Sequence, residues 1–299
     1  ASANRFDDGV LVLEEGLADE GGDRFWRARM QLALGELYAR AGRWDEAAGT
    51  LREGAPEEGD ADIAARAFVL LGQVEEHAER WDEAAAAYTE ALRRRPDYEL
   101  SYAAEVGRAL VVGIEAGRTD EALAAVRAMR SDDKNYDRRG ELALVEARLR
   151  AAAGETQRAR SLFRDVLYDE ALAGQRVRGE THYRLAELYR DAMGDYVLAS
   201  AHFDTAATAL RAPISDVRPS RGAILDVADE ARTYNALAET ARRIAEVDSL
   251  LALGDLSDED FRARIEEIEA ERRRVFIEEQ RRLDAARTAQ AFSGSGGLG

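Results

Sequence analysis

An all-α solenoid of repeated helix–turn–helix units is the fold class this sequence predicts, on three observations. The first is a recurring string. Gly42-Arg43-Trp44-Asp45-Glu46-Ala47 returns as Glu79-Arg80-Trp81-Asp82-Glu83-Ala84 and Gly117-Arg118-Thr119-Asp120-Glu121-Ala122, with fainter copies at Gly154–Ala159 and Gly194–Ala199. The second is the spacing: the closing alanines lie 37, 38, 37 and 40 residues apart, the period of a stacked helical-repeat array. The third is composition. Of 299 residues, 46% are hydrophobic and 34% charged, and only four are prolines, which is the make-up of long helices.

The elements follow in order. Arg5-Phe6-Asp7-Asp8-Gly9 reads as the second half of a truncated repeat, because Gly9 lies 38 residues before Ala47. A first helix, Met30 to Ala41, carries Leu34, Gly35 and Tyr38 on one face, and a second runs through Ala47, Leu51 and Gly54. The next unit repeats the plan with Leu71, Gly72, Trp81, Ala84, Tyr88, Ala91 and a closing Pro96. Small residues at Gly35, Gly72, Ala147 and Ala186 face Ala47, Ala84, Ala122, Ala159 and Ala199 across the helix crossing, where bulk would hold the helices apart. Tyr88, Phe163 and Phe203 are expected to fill the space toward the following repeat. The third unit departs: Leu110 stands where a small residue belongs and Gly113 where an aromatic usually sits, so its packing should differ. The fifth has an extra residue between Tyr189 and Gly194, predicting a longer first helix or a bulge.

The small mid-helix residue, early alanine, following aromatic and closing proline make these units resemble the tetratricopeptide repeat. On that resemblance residues 1–210 form a right-handed repeat array. Residues 211–292 follow as a long antiparallel helical pair that caps it: a loop holding Pro213 and Pro219, a helix from about Gly222 to Leu253, and a charged helix from about Asp260 to Phe292. In the first of these, Leu237, Ile244 and Leu251 recur every seven residues, the spacing of a packed or coiled face. Ser257 with Asp260 reads as a helix start. Residues 293–299 read as a Gly/Ser linker; the glycines there lack the strand and helix that a phosphate-binding loop requires.

The formal net charge of −17 argues against nucleic acid as a partner. Lys134 is the only lysine, and there is no cysteine, which excludes disulfides and thiolate metal sites. The longest apolar run, Ala109 to Ile114, is too short to span a membrane. Of three histidines, His182 and His202 fall on the two helices of the fifth unit, where they could approach one another, but no further metal ligand is spaced to join them. Acidic pairs such as Glu14-Glu15 and Glu57-Glu58 read as solvated faces. The expectation is therefore a non-catalytic chain without cofactor or metal that binds protein.

Repeat arrays bind partners on the concave face lined by first helices. In this register that lining is Arg29, Leu32, Glu36 and Arg40 in the first unit, Arg66, Val69, Gln73 and His77 in the second, and Glu180, Tyr183, Glu187 and Arg190 in the fifth. It contains neither lysine nor asparagine, so it departs from the clamp with which chaperone-binding tetratricopeptide domains hold a peptide carboxylate.

A narrower resemblance covers about 60 residues near the end of the chain. Asp248-Ser249-Leu250-Leu251 and Leu253, followed by the acidic turn Gly254 to Asp260 and a charged helix, is similar to the segment after the repeats in the PorW/SprE family of type IX secretion lipoproteins. The resemblance implies a periplasmic, outer-membrane-associated scaffold that meets translocon or ring components, with a lipid anchor upstream of residue 1. Two alternatives stand beside it: a cytoplasmic adaptor or assembly chaperone, and the recognition arm of a larger enzyme.

Overall fold

A computed structural model describes residues 2–18, 23–169, 174–210 and 227–294, without side chains at 2–5, 230, 275 and 279–294. The expected proline-containing loop and the end of the glycine-rich tail lie outside the described residues. Every regular element among those residues is helical: α1 (Ser2–Ala18), α2 (Arg24–Arg40), α3 (Trp44–Glu57), α4 (Ala61–His77), α5 (Trp81–Arg93), α6 (Tyr98–Leu110), α7 (Thr119–Ser131), α8 (Arg139–Ala152), α9 (Thr156–Tyr168), α10 (Gln175–Met193), α11 (Tyr196–Ala209), α12 (Val227–Gly254) and α13 (Asp258–Gly294). The helices α2 to α11 form five successive helix–turn–helix pairs. The chain divides into two units, Ala1–Ala238 and Glu239–Gly299, so the boundary falls within α12.

Each pair turns in the same way. Gly42, Gly117, Gly154 and Gly194 adopt φ values of 73°, 69°, 75° and 63°, a left-handed conformation that costs glycine nothing. The second turn places Glu79 there instead, at φ 60°. The residue after the turn donates its N–H back into the first helix: Arg43 to the Tyr38 carbonyl, Arg80 to Glu75 and Glu155 to Arg150, five residues apart in each case. In the third and fifth units the reach is six residues, Arg118 to Val112 and Asp195 to Tyr189. These are the units with a lengthened repeat. The third absorbs its extra residue in a π-helical turn, Val111–Glu115. Thr119, standing where the other copies have Trp44 and Trp81, donates its hydroxyl to the Gly113 carbonyl at 2.9 Å within that turn. The fifth absorbs its insertion in one longer helix of 19 residues.

The first helices of the first three units share a start signal as well. Asp23, Asp60 and Asp97 cap α2, α4 and α6 by accepting N–H bonds from Phe25, Asp62 with Ile63, and Leu100. The second helices α3, α5 and α7 lack such caps and carry Asp45-Glu46, Asp82-Glu83 and Asp120-Glu121 in the first turn, favourable beside the positive helix end. These acids also join neighbouring repeats. Arg80 reaches Asp45 at 2.7 Å and Arg118 reaches Asp82 at 3.7 Å. The ladder stops where Glu155 replaces the arginine.

The core lies at the crossings. Ala47, Ala84, Ala159 and Ala199 are fully buried, as are Leu51 and Phe203, and Phe163 and Tyr88 are nearly so. A methyl group on Gly72 would meet the Tyr88 ring at 2.8–3.0 Å, and one on Gly107 would meet the same ring at 2.7–3.0 Å. That ring is therefore clasped between glycines of α4 and α6. In the third unit the close approach passes from position 110 to Gly113, whose added Cβ would lie 2.3 Å from Leu149 and 2.6 Å from Ala122. The π turn has moved the small residue to the contact.

At its start α12 packs on the fifth pair. Ala231 and Ala238 are buried, Tyr234 stacks on Phe203 at 5.0 Å, and Ser200 hydrogen-bonds Asn235. Beyond Ala238 the seven-residue row behaves differently from a packed face: Ile244 is 57% exposed and Leu251 63%. After the turn, Ser257 Oγ accepts the Asp260 N–H at 3.2 Å and starts α13 as its sequence predicts.

Candidate functional site

The crossing residues Gly35, Gly72, Ala147 and Ala186 define a common register for α2, α4, α8 and α10. The position one residue later holds Glu36, Gln73, Arg148 and Glu187, half-buried in all four helices. The position three residues earlier shares a face with the crossing residue and so turns toward the second helix. There Val69 and Tyr183 keep only 7% of their surface, Val69 inside the core and Tyr183 edge-on to Phe203 at 5.4 Å. These two expected lining residues are core residues.

The other expected lining residues are distributed differently. Arg29 places Nε 3.2 Å from Glu58 and its guanidinium over the Phe25 ring at 4.5 Å. Leu32 is partly buried against the first core. Glu36 and Arg40 pair with one another on the surface, and Arg66 pairs with Asp97 at 3.4 Å. His77 is covered by Trp44, stacked at 4.2 Å. Arg190 is drawn toward α12, contacting the Tyr234 hydroxyl at 3.3 Å as well as Asp191. Gln73, Glu180 and Glu187 stay on the first-helix face, half-buried.

What the structure assembles on that face centres on Arg148 of α8. Its side chain is 17% exposed, and among the described residues its ion pair is with Glu180, at 3.8 Å. Burial lowers the guanidinium to about 10, the neighbouring Arg184 pushes the same way, and Glu180, Glu187 and Glu76 oppose them. Charges from α4, α8 and α10 thus converge on one nearly buried arginine. Glu76 is itself pushed up to about 7, chiefly by burial and further by Glu115; a hydrogen bond from the Tyr88 hydroxyl and the charge of Arg148 hold it back. Arg184 bonds Glu187 at 2.9 Å and lies over the Tyr183 ring at 5.3 Å. Arg148 remains charged at neutral pH, with donors that have no hydrogen-bond acceptor among the described residues.

Sequence reasoning passed over Glu76, Arg148 and Arg184. The signal for Arg148 was present, since it occupies the same register position as Glu36, Gln73 and Glu187. Glu76 carried one too, standing four residues after Gly72 as Arg190 stands after Ala186, whereas Arg184 had no such signal.

The two histidines of the fifth unit do meet, with Nδ1 atoms 2.8 Å apart and the His202 ring stacked on Tyr189 at 5.5 Å. Burial lowers His182 to about 4, assisted by His202 and Arg178, and burial lowers His202 also. Both are neutral at pH 7, one donating to the other. Among the described residues no three His, Cys, Asp or Glu side chains are grouped to hold a metal ion. No described helix is long and apolar enough to cross a membrane.

No family model and no curated protein matches the chain. Solved structures similar to it include YrrB, described as a tetratricopeptide-repeat protein with an unusual peptide-binding site, at 16% identity over 67% of this chain and 92% of that one, with a TM-score of 0.39. BtubC (BKLC) from P. vanneervenii is similar at 19% identity, over 72% and 92%, with a TM-score of 0.39. The TPR2AB domain of yeast Sti1, in a complex with pHSP90, is similar at 15% identity, over 81% and 93%, with a TM-score of 0.28.

Proposed function

We propose that this chain is a non-catalytic protein–protein interaction scaffold whose first-helix face receives a segment of a partner around Arg148. The observation that carries the reading is that guanidinium: largely buried, charged, and held among the described residues by one long ion pair, to Glu180 at 3.8 Å. A docked segment would supply a hydrogen-bond acceptor. Glu76, Glu180 and Glu187 lie around it with Arg184, and Glu115 lies beyond on the Glu76 side. A free carboxylate would be repelled there, so a backbone carbonyl flanked by basic side chains fits better.

The finer reading is a periplasmic, outer-membrane-associated component of a type IX secretion and gliding assembly. Its support is the similarity of Asp248–Leu253 and the acidic turn after it to the PorW/SprE family. Both levels are tested by placing a photo-crosslinking residue at Gln73 or Glu187, or at exposed Tyr168 as a control, in the full-length protein in its native cells. Capture of one partner from the first two positions, lost on Arg148→Glu, supports the groove. Capture from Tyr168 alone moves the site elsewhere. Recovery in the outer-membrane fraction with translocon or ring proteins supports the secretion role, whereas soluble cytoplasmic partners favour the adaptor reading and a covalently linked catalytic domain the recognition-arm reading.

A further inference from the structure

Beyond the repeats, the C-terminal half of α12 presents an apolar row that stands exposed among the described residues. Ile244, Val247 and Leu251 are 57%, 52% and 63% exposed. They recur at intervals of three and four residues, the spacing of a coiled-coil seam with Ile244 and Leu251 at a and Val247 at d. Arg243 and Asp248 flank this seam on opposite sides, at g and e, and both border one open depression together with Ile244 and Val247.

We propose that this row is a self-association surface, on which the α12 helices of two copies pair in parallel. The charge pattern selects the occupant. In a parallel pair the g residue of one helix meets the e residue five positions on in its partner, which sets Arg243 against Asp248 twice across a two-fold axis. An antiparallel pair of copies with the same apolar layers would set Arg243 beside Leu250 and Asp248 beside Ala241, leaving both charges without an opposite partner. The chain's own α13 follows after the short turn at Asp255–Ser257 and can return only antiparallel, so it cannot make this pairing. Its nearest apolar residue, Phe261, is itself 41% exposed. The exposed row spans eight residues, little more than one heptad, so the association is a weak, concentration-dependent one rather than a permanent dimer.

Sedimentation equilibrium of the full chain from low to several hundred micromolar concentration tests this. The wild type is expected to pass from monomer to dimer over that range. Ile244→Asp with Leu251→Asp should leave a monomer throughout, with circular dichroism of the wild-type shape because both side chains are exposed. Arg243→Glu alone should weaken association about tenfold, and Arg243→Glu with Asp248→Arg should restore it. A monomer at every concentration overturns the proposal. So does a dimer insensitive to the apolar pair, or one that the charge exchange fails to restore.

Discussion

Replacing Gly72 by alanine measures how tightly the second repeat is closed, and Gly49→Ala supplies the control. Both glycines lie inside helices, so each substitution carries the same intrinsic gain, roughly 0.5–1 kcal/mol. Their surroundings differ. Nothing lies within 4 Å of a Cβ built on Gly49, whereas one on Gly72 meets three Tyr88 ring atoms at 2.8–3.0 Å. The ring has no room to withdraw, because Gly107 backs it at 2.7–3.0 Å. Relief would require α4 and α5 to part by several tenths of an ångström along a crossing that includes fully buried Ala84. Overpacking of this kind costs about 1–3 kcal/mol, so Gly72→Ala should fall below Gly49→Ala by that amount. Urea unfolding gives the difference, and hydrogen exchange should localise the loss to α4 through α6, since repeats in an array are coupled mainly to their neighbours. Equal stabilisation by both alanines would refute the close approach of Gly72 to Tyr88 and the register built on it.

Two further predictions concern the same repeat. Glu79 holds φ 60° where the other turns have glycine, so Glu79→Gly should stabilise the protein by about 0.5–1 kcal/mol, read as a raised urea midpoint. Glu76 is raised from an ordinary 4.5 to about 7, mainly by burial, so the folded state holds a proton that the unfolded state has released between those values. Its contribution is complete below pH 4.5 and is lost as pH rises to about 7, a change of up to about 3 kcal/mol. Glu76→Gln should flatten the stability profile over that window; an unchanged profile would place the carboxyl in a solvated setting.

Much of the repeat plan was legible in residues. The spacing of the Asp-Glu-Ala strings located the turns, the small residues located the crossings, and the lengthened third and fifth repeats announced where geometry would change. Asp23, Asp60 and Asp97 recur at intervals of 37 residues, but it was the structure that identified them as caps. The candidate site was legible only in part. Val69 and Tyr183 have the spacing of lining residues yet turn inward, and Arg190 turns to Tyr234, because a helical period assigns residues to a face but not to what that face meets.

The sequence by itself determined the helices, their left-handed turns and their order, since capping, φ preference and small-residue contacts are set by residues near one another in the chain. Tertiary structure decided that the third repeat absorbs its insertion as a π turn, that Tyr88 is clasped between glycines of two helices, and that charges from α4, α8 and α10 gather on Arg148. Those outcomes depend on the rotation between successive repeats, which is settled by packing across tens of residues of sequence and is written in no single motif.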